Sequence, residues 1–444
     1  MTKYQAYPEY KNSGVEWVGE IPSTWKVLPV RVLFDPTFER NTDGLEKNVL
    51  SLSYGQIVRR DVETNFGLLP ESFNNYQIVN ANDLILRLTD LQNDKRSLRV
   101  GLAKEKGIIT SAYLKLAAKS MLDHHFAYRL LHSYDTTKVF YGMGGGLRQS
   151  LTYEEFKNLS ILLPPLDEQK LISNFLDYET DQIELLIDKQ KKLIGLLKEK
   201  RQALISSVVT KGLDPNVSMK NSGVRWLGMI PQSWEAVPLK YMCKNFVKDG
   251  PHETPEFIDS GIPFLSVDGI QDGKLVFEGC RFISLADHEY YSLKCKPAKG
   301  DVLLGKAASV GKVAYVDTDV EFNVWSPLAV ITPKKPVFGK YIYYCLQSVE
   351  LQAQCEVYSN ANTQKNLGMN TIDNLDFPYP SSVEAEQIAN YLDDQTSKID
   401  ALIQKAESAI SLIQERRTAL ISAAVTGKID VRNWQAPVTS EVTE

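Results

Sequence analysis

The chain contains nearly the same 19-residue stretch twice. "KNSGVEWVGEIPSTWKVLP" occupies residues 11–29 and "KNSGVRWLGMIPQSWEAVP" occupies residues 220–238, with matches at 11 of 19 positions and no gap. The matches include two tryptophans, two glycines and two prolines. An internal repeat of this kind constrains the whole fold. Since 444 residues exceed one ordinary core, the repeat predicts two related halves.

A second pair of signatures lies towards the end of each half. "FLDYET" (175–180) and "RQALISSVVT" (201–210) recur 216 positions later as "YLDDQT" (391–396) and "RTALISAAVT" (417–426). Around and between them, apolar side chains recur at spacings of three and four residues, which indicates one face of a helix. The residues that we predict to pack helix against helix are Ile172, Leu176, Ile183, Ile187, Ile194, Leu197 and Leu204, with Ile388, Leu392, Ile399, Ile403, Ile410, Ile413 and Leu420.

Each stripe has helix start and stop signals. Prolines precede it, glycines (Gly212 and Gly427) follow it, and Ser381 with Glu384 forms a possible capping box. From Lys170 to Val208 such a helix is roughly 58 Å long at about 1.5 Å per residue. A narrow stripe of that length needs another helix, and the chain contains a second copy. We expect an antiparallel pair; two separate helices, each covering its own domain, remain the alternative.

The bodies between the signatures resemble each other only in outline. "ANDLIL" (81–86) corresponds to "KGDVLL" (299–304), and "GGGLRQSL" (144–151) to "ANTQKNL" (361–367). Short apolar runs bounded by glycine, asparagine and aspartate indicate strands. We predict an α+β fold: two mixed, strand-rich domains separated by two long antiparallel helices that form a coiled-coil spacer, with a pseudo-two-fold internal repeat. The predicted bounds are 1–165 and 213–380 for the domains, 166–212 and 381–430 for the helices, and 431–444 for a tail.

The sequence offers no catalytic centre. "YGMGGGL" (141–147) completes neither phosphate-binding glycine motif. "PLDEQK" (165–170) contains a Glu-x-Lys fragment of metal-dependent nucleases, but its acidic residues fall on a helix first turn, where they complement the helix dipole. "FPYP" (377–380) has a different order from the tetrapeptide of amino-methylating enzymes. The histidines and cysteines lack metal spacings. We therefore predict no catalytic residue, no metal and no cofactor on this chain.

Composition suggests a globular protein of the cytoplasm. There is no apolar run of about 18 residues and no signal-peptide pattern at the start. Five cysteines without close pairs indicate free thiols. The net charge of −5 argues against strong nucleic-acid binding. Residues 30–160 contain 17 Lys+Arg against 15 Asp+Glu, and residues 238–378 contain 14 against 17, so the isolated chain is expected to bind DNA feebly.

The combination of motifs resembles a known family. Two copies of "GVxWxGxIPxxW", "PPLDEQ" before one helix, "EQIANYLD" in the other and "ERRTALISAAVTGKIDVR" near the end are similar to the specificity subunit of type I restriction-modification systems. The resemblance spans about residues 11–432. It implies that each body is a target recognition domain that reads one half of a split DNA sequence.

The same resemblance implies that the helices space these domains and dock two methyltransferase subunits, which recruit motor and nuclease subunits. S-adenosylmethionine and ATP are then expected on those partner subunits. Two other interpretations stay open: a self-sufficient DNA-modifying or restriction enzyme with an unrecognised active site, and a coiled-coil scaffold that binds protein alone.

The candidate DNA-binding residues follow from residue type. Lysine and arginine bind phosphates, whereas arginine, asparagine and glutamine also bind base edges. In the first domain the candidates are Arg59, Arg60, Arg87, Lys95, Arg96, Arg99, Arg148 and Gln149; in the second they are Lys306, Lys312, Gln364, Lys365 and Asn366. A solvated surface role is the alternative for each, since charged residues are mostly exposed.

Overall fold

The computed structural model describes residues 4–61, 72–91, 98–143, 150–359 and 365–437. The chain divides into two compact units. Unit 1 comprises Met1–Gln190 with Ser408–Glu444, and unit 2 comprises Lys191–Glu407. Each unit therefore contains part of both long helices.

The described residues of unit 1 form short strands and α-helices, and its long helix continues into unit 2. Its strands are β1 (Tyr10–Asn12), β2 (Glu20–Pro22), β3 (Lys26–Pro29), β4 (Phe34–Pro36), β5 (Leu50–Ser53), β6 (Gln56–Arg59), β7 (Gln77–Val79), β8 (Leu84–Leu86), β9 (Val100–Leu102), β10 (Gly107–Ile109), β11 (Leu114–Ala118) and β12 (Ser160–Leu163). Its helices are α1 (Val30–Leu33), α2 (His124–Thr136), α3 (Tyr153–Phe156) and the long helix α4 (Leu166–Lys211).

Unit 2 has a similar composition of elements. Its strands are β13 (Met219–Asn221), β14 (Met229–Pro231), β15 (Glu235–Pro238), β16 (Lys248–Asp249), β17 (Ile262–Leu265), β18 (Ile270–Gln271), β19 (Lys274–Leu275), β20 (Arg281–Ile283), β21 (Val302–Gly305), β22 (Val313–Tyr315), β23 (Asn323–Val324), β24 (Leu328–Ile331) and β25 (Asp376–Tyr379). Its helices are α5 (Leu285–Lys294), α6 (Val337–Gln347), α7 (Val349–Tyr358), α8 (Met369–Asp373) and the long helix α9 (Ser382–Val425), which continues into unit 1.

A four-stranded antiparallel sheet of the same order lies in each unit. The order is β4-β11-β8-β9 in unit 1 and β16-β24-β21-β22 in unit 2. "ANDLIL" and "KGDVLL" supply β8 and β21, so their correspondence extends to position in the sheet. Unit 2 also has a three-stranded sheet, β20-β17-β23, whose β17–β23 pair is parallel. The bodies thus share a central sheet and differ around it.

The repeated 19-residue stretch leads into the strand that supports a long helix. Its last strand, β3 or β15, pairs antiparallel with β12 or β25, the strand that precedes α4 or α9. Its second tryptophan is fully buried in both units. The indole Nε1 of Trp25 donates to Oε1 of Glu168 at 2.9 Å, and that of Trp234 donates to Oε2 of Glu384 at 2.8 Å. Both glutamates lie in the first turn of a long helix.

These contacts correct one expectation and explain two glycines. The Ser381 hydroxyl accepts from the backbone of Glu384 at 3.2 Å, as in a capping box, but the Glu384 side chain bonds Trp234 instead of the cap. Gly212, the first residue beyond α4, and Gly427, the second beyond α9, have φ of +77° and +75°, a region that favours glycine. A Cβ at Gly427 would lie 2.4 Å from Pro22 of the repeat.

Within each unit the long helices run antiparallel. In unit 1, Arg417 of α9 pairs with Glu184 of α4 at 2.9 Å, while Phe175 packs on Trp434 beyond the end of α9. In unit 2, Arg201 of α4 pairs with Asp400 of α9 at 2.9 Å, and Gly212 lies against Glu384. The two arginines, like the two carboxylates, are 216 positions apart, so the two ion pairs are repeat equivalents.

The residues of the apolar stripe are buried or half-buried. In unit 1, Ile172, Leu176, Ile183, Ile187 and Leu420 belong to the main core, with Ile410 and Ile413 packed against it. In unit 2, Ile388 and Leu392 are core residues, Leu204 packs against them, and Ile399 is buried. Ile194, Leu197 and Ile403 are half-buried. Burial along the stripe is therefore greatest where the bodies also pack against the helices.

Candidate nucleic-acid interface

Two loops in each unit carry most of the candidate DNA-binding residues. In unit 1 their described residues are 87–91 and 98–99, between β8 and β9, and 150–151; in unit 2 they are 306–312, between β21 and β22, and 365–367. We refer to each set as the paired loops. β8–β9 and β21–β22 are the last two strands of the four-stranded sheet in their respective units. The first loop therefore has the same topological position in both units.

The same backbone hydrogen bond joins the paired loops in both units. The amide of Leu151 donates to the carbonyl of Leu88 at 2.8 Å, and the amide of Leu367 donates to the carbonyl of Lys306 at 2.7 Å. These leucines end "GGGLRQSL" and "ANTQKNL". The structure therefore brings together, at this point, segments that the sequence analysis selected separately.

Arg99 organises the first of the paired loops from inside. Its side chain is fully buried, and its guanidinium donates to the carbonyls of Thr89 at 2.7 Å and Asp90 at 2.9 Å and packs against the ring of Tyr141. Its backbone amide donates to a carboxylate oxygen of Asp135 at 2.6 Å. A buried guanidinium satisfied by carbonyls holds a backbone conformation. Arg99 thus supports the loop, although residue type alone had suggested a direct contact.

The other described arginines among the candidate DNA-binding residues of unit 1 are nearer the surface. Arg87 is half-buried beside Arg99, and its amide donates to the Arg99 carbonyl at 2.9 Å. Arg59, on the β5–β6 hairpin, donates hydrogen bonds to both carboxylate oxygens of Glu105, and the Arg59 side chain is 71% exposed. Arg60 is half-buried at the end of this hairpin. Arg59 and Arg60 therefore lie outside the paired loops.

A buried carboxylate fixes the corresponding loop of unit 2. Oδ2 of Asp249 lies 3.2 Å from Nζ of Lys306, and Oδ1 lies 2.7 Å from Nζ of Lys294. Burial opposes ionisation of Asp249, but the hydrogen bonds from Lys294 and Lys306 outweigh it and lower the pKa of the carboxyl group. Lys306 is itself buried, so it anchors the loop, whereas Ala308 and Lys312 of the same loop are exposed.

The remaining described candidates of unit 2 are exposed. Lys312 lies at the end of the first loop, and Asn366 forms a β-bridge with Ala307 in that loop. Lys365 forms an ion pair with Glu356. Lys95, Arg96, Arg148, Gln149 and Gln364 lie outside the described residues.

A basic cleft in unit 2 was missed by the sequence analysis. It has a volume of about 500 Å³ and is lined by Lys240, Lys244 and Lys248 with Phe246, whose side chain is 71% exposed. The four-residue lysine spacing beside an exposed aromatic residue was the available signal. Lysine and aromatic side chains together suit nucleic-acid backbone and bases.

Each unit also exposes leucines of the long helices at equivalent positions of the repeat. Leu186 and Leu402 are 47% and 49% exposed, and Leu196 and Leu412 are 53% and 64% exposed; each pair is separated by 216 positions. We refer to Leu186 with Leu412 in unit 1, and to Leu402 with Leu196 in unit 2, as the leucine pairs. Exposed leucines thus recur at equivalent positions of the two copies.

Comparison with known proteins agrees with this architecture. The sequence model described as "Type I restriction modification DNA specificity domain" matches residues 70–194 and 231–411, more than half of the chain. The chain belongs to the type I restriction-modification DNA specificity family. The two matched stretches cover all described paired-loop residues.

Curated members of this family are similar over much of their length. The MjaVIII specificity subunit of Methanocaldococcus jannaschii is 26% identical over 367 residues, which cover 80% of this chain and 81% of the relative. The EcoBI specificity subunit of Escherichia coli is 24% identical over 286 residues, covering 62% of this chain and 59% of that protein.

Solved structures show a common fold. A chain from a study of complex assembly and conformational transition of the type I restriction-modification system aligns with a TM-score of 0.68 at 16% identity, covering 92% of this chain and 99% of that chain. The HsdS subunit of Thermoanaerobacter tengcongensis aligns with a TM-score of 0.52 at 16% identity, covering 92% and 98%.

The described residues contain no group of three or more His, Cys, Asp or Glu side chains arranged to hold a metal ion. No helix in the described ranges is long and apolar enough to cross a membrane. The five cysteines are free, and burial raises the pKa of Cys243, Cys295 and Cys355 to about 12. Thiols with such pKa values are protonated, and therefore weakly nucleophilic, at neutral pH.

Proposed function

We propose that this chain is the non-catalytic DNA specificity subunit of a type I restriction-modification complex, in which each recognition domain reads one half of a bipartite target. The observation that carries the proposal is the pair of loops joined by the same backbone hydrogen bond in both units. The framework is common, whereas the residues it presents differ. Two domains that perform the same task on different sequences require that combination.

The proposed roles of the candidate residues follow from their burial. Lys312, Asn366 and Arg87 face DNA from the paired loops, together with the candidates outside the described ranges. Arg99 and Lys306 position those loops, because their charged groups are buried and hydrogen-bonded inside the domain. The basic cleft at Lys244 and Phe246 of unit 2 adds contacts to the phosphate backbone of the DNA.

The long helices are proposed to act as a coiled-coil spacer and as the docking site for two methyltransferase subunits. The equivalent ion pairs, Arg201–Asp400 and Arg417–Glu184, support a pseudo-two-fold arrangement of the helices. The leucine pairs support docking, because a partner present in two copies meets the same residues twice. Motor and nuclease subunits join through these partners, and S-adenosylmethionine and ATP bind to the partners. Since the target is chromosomal or invading DNA, we place the complex in the cytoplasm.

The test is a methylation assay with three samples: the chain alone, a methyltransferase partner alone, and both together. We expect methylated adenine only in the combined sample, and mapping of the methylated sites should yield two short half-sites separated by a fixed unread gap. Methylation by the chain alone would support the alternative of a self-sufficient enzyme.

The substitution Lys312→Ala tests the assignment of one recognition domain to each half-site. Within the combined sample, this substitution should relax base preference in one half-site and leave the other half-site intact. Relaxation of both halves together would contradict the assignment of one recognition domain to each half.

A further inference from the structure

Each long helix carries an aspartate followed three residues later by a threonine, at equivalent positions of the repeat. They are Asp177 and Thr180 in α4, and Asp393 and Thr396 in α9. A spacing of three places both side chains on one face of a helix. Both threonines are buried, at 3% exposure. We refer to each pair as an Asp–Thr socket.

In unit 1 the socket holds α2, a helix of the recognition domain. One guanidinium nitrogen of Arg129 on α2 donates to Oδ1 of Asp177 at 2.7 Å and to Oγ1 of Thr180 at 3.4 Å. The Arg129 side chain is only 15% exposed. Helix α2 packs against β9, the strand that leaves the first of the paired loops. The socket is therefore linked to that loop through one helix and one strand.

In unit 2 the equivalent socket holds α6 with different side chains. The Tyr344 hydroxyl donates to Oδ1 of Asp393 at 2.7 Å and lies 3.1 Å from Oγ1 of Thr396, while Lys340 forms an ion pair with Asp393. Burial raises the pKa of Tyr344, so its hydroxyl remains a donor. Helix α6 packs against β21 and β22, which flank the loop 306–312. The mechanical connection is thus the same as in unit 1.

The other attachments of these two helices differ between the units. In unit 1, the Gln169 side chain accepts from the amide of Asp123, the N-cap of α2, at 2.7 Å. In unit 2, the Gln202 side chain donates to the carbonyl of Gln347 at the end of α6, at 2.6 Å. The described parts of both units share the carboxylate and hydroxyl of the socket. An arginine of α2 binds to it in unit 1, and a lysine and a tyrosine of α6 bind to it in unit 2.

We propose that the Asp–Thr sockets are positioning sites that fix the angle of each recognition domain on the long helices, and that they thereby set how strictly the complex measures the gap between half-sites. This inference rests on the proposed function. Adding one base pair moves a half-site by about 3.4 Å and rotates it by about a tenth of a turn. A domain that can rock on its helix will accommodate such a shift, whereas one held by a charged hydrogen bond will not.

The test uses the full chain in complex with its methyltransferase partner and a set of DNA targets. All targets carry both half-sites, with the gap at its native length or changed by one or two base pairs. For Asp177→Asn we expect methylation of the altered gaps, relative to the native gap, to rise by up to about tenfold, since asparagine keeps an acceptor oxygen for Arg129 but loses the charge that roughly doubles the strength of this hydrogen bond. Base preference within each half-site should stay unchanged.

Matched controls separate positioning from stability. Asp181→Asn makes the same charge change at an exposed residue four positions further along α4 and should keep the native gap selectivity. Asp394→Asn is the corresponding control for Asp393→Asn, because Asp394 is exposed and pairs with Lys398 within α9. Thr180→Val is a milder second variant if Asp177→Asn does not fold.

The outcomes distinguish failure of the positioning role of the sockets from failure of the proposed function. Unaltered gap selectivity in folded Asp177→Asn and Asp393→Asn complexes overturns the inference, and so does an equal loss of methylation at every gap length. If the wild-type complex methylates no bipartite target at all, the proposed function itself fails. Selective gain at altered gaps supports both.

Discussion

Trp25 donates its indole hydrogen to Glu168, a residue 143 positions later in the chain and 6% exposed. Trp25→Phe removes this donor and leaves the buried carboxylate with Tyr7 as its remaining side-chain donor. We expect a loss of about 2 kcal/mol in the free energy of unfolding, because hydrogen bonds to charged groups contribute about 1.5–3 kcal/mol. Thermal or urea denaturation measures the change.

The second copy provides a comparison for that prediction. Trp234→Phe should destabilise less, since Glu384 is half-exposed and water can replace the lost donor. Trp17→Phe, at a tryptophan that is 51% exposed, serves as the control and should change little. An equal loss for all three substitutions would show that ring size, and not the hydrogen bond to glutamate, determines the effect.

The two interhelical arginines are expected to differ in importance. Arg201 is 19% exposed and also donates to Oε1 of Gln347 at 3.1 Å, whereas Arg417 is 36% exposed and pairs with Glu184. Arg201→Met should lower the free energy of unfolding by about 1–2 kcal/mol. Arg417→Met should cost about 0.5 kcal/mol, as is typical of partly exposed ion pairs. Urea denaturation of both variants checks the order, which the reverse ranking would contradict.

The stability of unit 2 should depend on pH through Asp249. Its folded-state pKa is lowered below the ordinary value of 3.8, so its ion pairs stabilise the fold above that value. This contribution is lost as the pH falls from 3.8 through the lowered pKa of the folded state. Asp249→Asn should therefore be less stable at pH 7 and should lose less on acidification. Denaturation curves at pH 7 and at pH 3 measure this; an unchanged acid dependence in the variant would contradict it.

The leucine pairs predict how many partner copies bind. Leu196→Glu should remove the methyltransferase bound through unit 2, Leu412→Glu the one bound through unit 1, and the double variant both, because a charge in a contact centre costs about 2 kcal/mol or more. Light scattering on purified complexes measures the stoichiometry. Lys198→Glu and Gln414→Glu, each two residues away and about 200° around the helix, should retain two copies.

The sequence was sufficient to predict the parts of the fold that depend on periodicity and duplication. The long helices end beside the predicted glycines, and the stripe from Ile172 to Ile187 is buried as its spacing requires. Such features follow from local geometry repeated along the chain. The matching of β8 with β21 was also visible, because both strands are short apolar runs with aligned flanking residues.

The roles of individual charged residues were not predictable in this way. Arg99 is buried because carbonyls of its own loop and the ring of Tyr141 surround it, and Lys306 is buried because Asp249, 57 positions earlier, lies beneath it. Neither arrangement leaves a periodic signal. The parallel pairing of β17 with β23 likewise joins segments nearly 60 residues apart. Long-range contacts of this kind depend on the completed fold.

The division of the chain has a consequence for synthesis. Unit 2 is one continuous segment, residues 191–407, whereas unit 1 needs residues from 408 onward to complete its core around Ile172 and Leu420. A ribosome therefore finishes everything that unit 2 requires while the first-made domain still lacks its closing helix. During that interval residues 172–187 lack the part of their apolar cover that Leu420 and its neighbours supply, so premature termination or slow translation after residue 407 should favour aggregation of the nascent protein.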